Sequence, residues 1–159
     1  MRLGLHEYNS HRPQALAVVL PAKQVTTDVS DPASGANQWW SGSGNGLAST
    51  LTRRIAVPAG TSQLSFNAAY DIEAGYDYAQ VEVDAGSGFA AVRTSASNSS
   101  VSPAGIEGTS GYRAVTVNMS AFAGRTVSLR FVYRTDGAFA GNDDDVANDG
   151  LFVDDIALR

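Results

Sequence analysis

Apolar and polar residues alternate with a period of two along most of this chain. Leu64, Phe66, Ala68, Tyr70 and Ile72 fall on one side of an extended segment, with Ser65, Asn67, Asp71 and Glu73 on the other. Ala79, Val81 and Val83 alternate with Gln80 and Glu82. Val115, Val117 and Met119 alternate with Thr116 and Asn118. Val127, Leu129, Phe131 and Tyr133 alternate with Ser128, Arg130 and Arg134. Successive side chains of a strand point to opposite faces, so each run predicts a strand with one buried face. Phe66, Phe131 and Tyr133 are expected in the core.

Further strands are predicted at ALAVVL (residues 15–20), KQVTTDV (23–29), LASTLTRRIAV (47–57) and LFVDDIAL (151–158). Turn signals such as PAG, EAG, DAGSG and FAG separate eight or nine strands in all. Only MSAFAG reads as helical, a single turn stopped by Gly124. Many short strands with one apolar face each predict an all-β fold, an antiparallel β-sandwich of jelly-roll type. Residues 1–13 read as a lead-in ending at Arg12-Pro13, residues 14–159 as one domain, and SASNSSVSPAG (95–105) as a polar loop.

Composition narrows the classes of function. Charged residues make up 17% of the chain, below the usual ~25%. The net charge of −5 argues against nucleic acid, because phosphate binding needs a basic patch. No apolar run approaches the ~18 residues that a spanning helix needs. There is no cysteine, which excludes disulfides, thiolate metal sites and cysteine nucleophiles. Met1-Arg2-Leu3 does not begin a signal peptide, so secretion would require a leader in a longer parent chain.

Several motifs fail on spacing. HEYNSH places His6 and His11 five residues apart, about 140° around a helix, whereas the zinc-protease helix needs four, about 40°. No zinc site is expected, and no serine triad either, since these are the chain's only histidines. GSGNG (42–46) lacks the lysine and following helix of a phosphate loop and reads as a glycine-rich turn. Trp39 and Trp40 are adjacent, so one should fill the core and the other cover an edge or offer a stacking surface. No catalytic residue is expected.

The acidic tail carries the chemistry. Six aspartates lie between residues 143 and 155. An EF-hand starting at Asp145 has Asp149 and Gly150 in place but Ala147 and Ile156 at ligand positions, and is rejected. Asp154 shares an apolar face with Phe152, Ile156 and Leu158, so it points inward unless a bulge intervenes. A buried carboxylate must be paired or metal-bound. Ca²⁺, an oxygen-seeking cation, satisfies Asp154 or Asp155, with a further carboxylate from Asp71, Asp77 or Asp136 at neighbouring strand ends. The alternative is a solvated loop at 143–149, with Asp154 paired to an arginine such as Arg54 or Arg130.

LGLHEYNSHRPQALAVVLP, WWSGSGNGL, YDIEAGYDYAQVEV, LRFVYRTDGAFAGN and LFVDDI together resemble the region that follows the catalytic domain in the immune inhibitor A family of secreted bacterial zinc metallopeptidases. More loosely they are similar to extracellular jelly rolls of the MAM and cleaved-adhesin kind. The resemblance implies a non-catalytic accessory β-sandwich, stabilised by calcium, in an extracellular peptidase. It adds Asp28 as a candidate ligand and the parent's catalytic domain as a partner. Tyr76 stands where the family pattern has Trp, and DDDVAND reads as an insertion. A carbohydrate-binding or cell-surface adhesion module is the competing expectation, with a glycan or a protein substrate as ligand. An exposed aromatic strip would favour sugar binding.

Overall fold

The computed structural model describes residues 29–61, 63–141 and 149–159. The predicted strand at 15–20, nearly all of that at 23–29, Asp28 and most of the acidic loop lie outside them. Eight strands are present among the described residues: β1 (Trp39–Trp40), β2 (Ala48–Ala56), β3 (Gln63–Ile72), β4 (Tyr78–Asp84), β5 (Phe89–Val92), β6 (Gly108–Asn118), β7 (Thr126–Arg134) and β8 (Gly150–Leu158). A 3-10 turn, Ser120–Phe122, sits where MSAFAG predicted one turn, and Gly124 follows it with a positive φ.

The strands form two antiparallel sheets, ordered β1-β8-β3-β6 and β2-β7-β4-β5. Every connection crosses between the sheets except the β4–β5 hairpin. This is the jelly-roll order. The inward rows are those that the alternation predicted. Leu64, Phe66, Ala68, Tyr70 and Ile72 of β3 meet Val81, Val83, Leu129, Phe131 and Tyr133 of the other sheet in one buried cluster. Phe66 and Phe131 touch edge to face across the sheets, with centroids 5.0 Å apart.

The adjacent tryptophans divide as expected. Trp39 packs against the core, while Trp40 stacks on Phe152 on the outer face, 5.8 Å away. Two strands depart from simple alternation. In β6 the register with β3 shifts between Ala68 and Tyr70, where Gly111 and Tyr112 add a residue. In β8 the partners run from Asn67↔Asp154 to Ser65↔Ala157, so β8 carries one extra residue. Asp155 takes up that bulge with φ +51°. Leu151 and Val153 therefore face the core, and Phe152 and Asp154 face outward. The inward placement of Asp154 is corrected: the bulge moves Ile156 and Leu158, but not Asp154, to the inter-sheet side.

Candidate metal centre

One end of the sandwich gathers carboxylates from two connections, β3–β4 and β7–β8. β3 ends at Ile72 and β4 begins at Tyr78, so Glu73 and Asp77 bracket a tight turn closed by the Asp77 N–H donating to the Glu73 carbonyl at 3.1 Å. Gly75 makes that turn with φ +85°. β4 lies beside β7, with Tyr78 opposite Arg134, so the segment after β7 brings Asp136 next to Asp77. The Asp136 N–H donates to Asp77 Oδ1 at 2.8 Å. Gly46, in the glycine-rich turn, donates to the Asp136 carbonyl.

Carboxylate oxygens of Glu73, Asp77 and Asp136 all lie within 4.8 Å of one another. Asp77 continues the inward row of β4 and has no exposed surface. Its Oδ2 and Glu73 Oε2 are buried without a hydrogen-bond partner among the described residues. Burial raises the Asp77 pKa to about 6; repulsion by Asp136 and Glu73 adds to this, against the lowering effect of the Asp136 N–H.

Two further aspartates are buried at the same end. Asp71 accepts from the Thr109 hydroxyl at 2.7 Å. Asp149 accepts from the Ser43 hydroxyl at 2.9 Å, and its carbonyl receives the Trp40 indole N–H at 2.8 Å. They approach each other across Gly141, where a Cβ would stand 2.1 Å from Asp149 Oδ1 and 3.2 Å from Asp71 Oδ2; only glycine fits. The Tyr133 hydroxyl donates to the Ala140 carbonyl at 2.8 Å. Burial first, and then the charges of Asp77, Asp149, Asp71 and Glu73, hold its phenol well above the ordinary range.

The sequence-derived ligands thus fall in separate places. Asp77 and Asp136 come together with Glu73, which the sequence reading did not single out as a ligand. Asp71 is at the same end, beside Asp149. Asp154 and Asp155 lie on the outer face of the first sheet. There Ser34 donates its N–H to Asp154 Oδ2 at 3.0 Å and its hydroxyl to Asp155 Oδ1 at 2.6 Å. Asn67 donates to Asp155 Oδ2 at 2.8 Å. Arg130 does not pair with Asp154: it pairs with Glu82 and lies 3.8 Å from the centroid of the Phe89 ring. The signal for Glu73 is its spacing of four residues from Asp77, across the short turn that carries the chain from one sheet to the other.

The whole chain, residues 1–159, matches the model of the immune inhibitor A-like MAM domain. The chain belongs to that family. Over 155 residues it is 34% identical to the pre-pro-metalloprotease PrtV of Vibrio cholerae serotype O1, an alignment covering 95% of this chain. It is 31% identical over 155 residues to immune inhibitor A of Bacillus thuringiensis subsp. alesti, covering 91% of this chain. The chain spans only 16% and 21% of the lengths of these relatives. It is therefore a MAM-like domain of the kind found in PrtV and immune inhibitor A. No helix among the described residues is long and apolar enough to cross a membrane.

Proposed function

We propose that this chain is a non-catalytic, calcium-stabilised accessory domain of a secreted metallopeptidase, supporting the catalytic domain or presenting substrate to it. The reading is carried by the Glu73–Asp77–Asp136 cluster, with one wholly buried carboxylate whose Oδ2 has no partner among the described residues. Ca²⁺ takes six to eight oxygens at about 2.3–2.6 Å, so two ligands on opposite sides of the ion lie about 5 Å apart. The carboxylate oxygens of the cluster, all within 4.8 Å of one another, fall inside that span. Its donors are all oxygens, which suits Ca²⁺ and not zinc. The ion would offset two of the three negative charges crowded at one end of the fold and hold the turns after β3 and β7 together. Asp71 and Asp149 would form a second row behind it.

The test is a thermal melt of the domain in EDTA and in millimolar Ca²⁺. At a hundred times its dissociation constant the ion stabilises by about 2.7 kcal/mol. For a domain of this size that raises Tm by about 5–10 °C, at ~2–4 °C per kcal/mol. Asp77→Asn should abolish the shift, and Asp154→Asn should leave it. Superimposed wild-type curves would remove the site. The non-catalytic part of the reading predicts that the purified domain leaves casein intact, with or without Zn²⁺; chelator-sensitive cleavage would overturn it.

A second reading, a carbohydrate-binding or adhesion module, is favoured by one observation. Tyr76, 63% exposed, and Phe139, 75% exposed, stand on the two turns that carry the carboxylates. Aromatic rings beside a bound cation suit a sugar, and calcium-dependent binding on a glycan array would separate this reading from the first.

A further inference from the structure

The two sheets do not close on one side. Between the β2 edge and the C-terminal half of β8 the inter-sheet space opens as a cleft of about 500 Å³. Leu51 and Ile55 of β2 and Ile156 and Leu158 of β8 form its walls, and it reaches in to Leu64 and Phe131. Leu51, Ile55 and Leu158 are only half-buried although they pack on the core, and Ile156 is 45% exposed. The backbone is open on the same side. Among the described residues β2 pairs only with β7 over its whole length, and β8 pairs with β1 only at Phe152 and Val153. Unpaired edges beside exposed core residues make a template for one more strand.

We propose that residues 15–20, ALAVVL, occupy this cleft and add to the free edge of β2 as a further strand. The segment alternates in size: Leu16, Val18 and Leu20 on one side, Ala15, Ala17 and Val19 on the other. The larger side matches the apolar floor of the cleft, and the smaller side suits a partly exposed outer face. Pro21 has no N–H to offer a ladder and ends the strand. The tether is long enough. The described chain begins at Val29, and Ser30 shares a pocket with Ala69 and Phe152 on the outer face of the first sheet. From Phe152 to Leu158 along β8 is about 20 Å at ~3.4 Å per residue. Residues 20 to 29 reach about 30 Å when extended. The inference is independent of the cation site, which lies at the ends of β3, β4 and β7.

Hydrogen exchange on the intact chain tests it without mutation. The β2 amides that do not pair with β7 should be protected to the level of the central strand β7; exchange at the rate of a solvated edge would overturn the proposal and leave Arg53 and Arg54 as guards of an open edge. The absence of cysteine permits a second test. Val18→Cys combined in turn with Leu51→Cys, Arg53→Cys and Ile55→Cys should give an intramolecular disulfide in at least one pairing under mild oxidation. The control Val18→Cys with Thr109→Cys should give none. Cross-links only between chains, with a concentration-dependent dimer, would assign the cleft to a second copy instead. No cross-link in any pairing would refute the segment as occupant.

Discussion

Asp77 concentrates the chemistry of this domain in one side chain. It is buried, it is bonded through one oxygen to the Asp136 N–H, and it faces two other carboxylates. Its folded pKa of about 6 lies above the ordinary 3.8 because burial and its neighbours disfavour the charge. In metal-free protein the folded state therefore holds a proton that the unfolded chain has released. That contribution is fully present below about pH 4 and is lost as pH rises through about 6. Calcium reverses the sign, since it requires the ionised form. The stability difference between wild type and Asp77→Asn should fall from pH 4 to 7 in EDTA and rise over the same range in excess Ca²⁺. Denaturant titrations at each pH measure both slopes, and a flat difference in EDTA would mean that Asp77 is solvated. Such a residue is hard to read from sequence. Nothing in EAGYDY says that Asp77 continues the inward row of β4; the turn at Gly75 decides it. Asp154 misled for the opposite reason, because a bulge built on a positive φ at Asp155 leaves no mark in a hydrophobic pattern.

Among elements, β3 and β7 hold the sheets together. Their inward rows meet at the Phe66–Phe131 pair, and Phe131 is 2% exposed. Phe131→Ala removes a ring from a filled core and should destabilise by about 3–5 kcal/mol, of which the edge-to-face contact supplies about 0.5–1.5. Urea titration measures it; a loss below about 1 kcal/mol would mean that the core relaxes around the vacancy. These strands were legible because each buries one face only. β6 was half legible. Its Val115–Val117 stretch alternates, but Gly108 to Tyr112 carries few apolar residues and is held by ladder bonds to β3 around a bulge. β5 places only Val92 against the core and forms because the DAGSG turn folds it back on β4.

At the scale of the whole molecule, the strand order decides how the domain unfolds. The first four strands and the last three alternate between the sheets, so neither sheet is a continuous piece of chain. Removing one sheet exposes the inward row of the other and breaks six of the seven connections. The hydrogen bond from the Asp136 N–H to Asp77 adds a tie from the β3–β4 turn to the segment after β7, across about sixty residues of sequence. The sheets should therefore melt as one unit. The tryptophans supply a local probe, since both belong to β1, which is fastened to β8 and nowhere else among the described strands. Fluorescence of Trp39 and Trp40 reports the outer edge of the first sheet, while far-ultraviolet circular dichroism reports all the strands. The two transitions should coincide in urea, in EDTA and in Ca²⁺ alike, with Ca²⁺ moving the shared midpoint and leaving the slope unchanged. An early fluorescence transition would mean that β1 frays from β8 as a separate unit, and that the stacking of Trp40 on Phe152 contributes little to the fold.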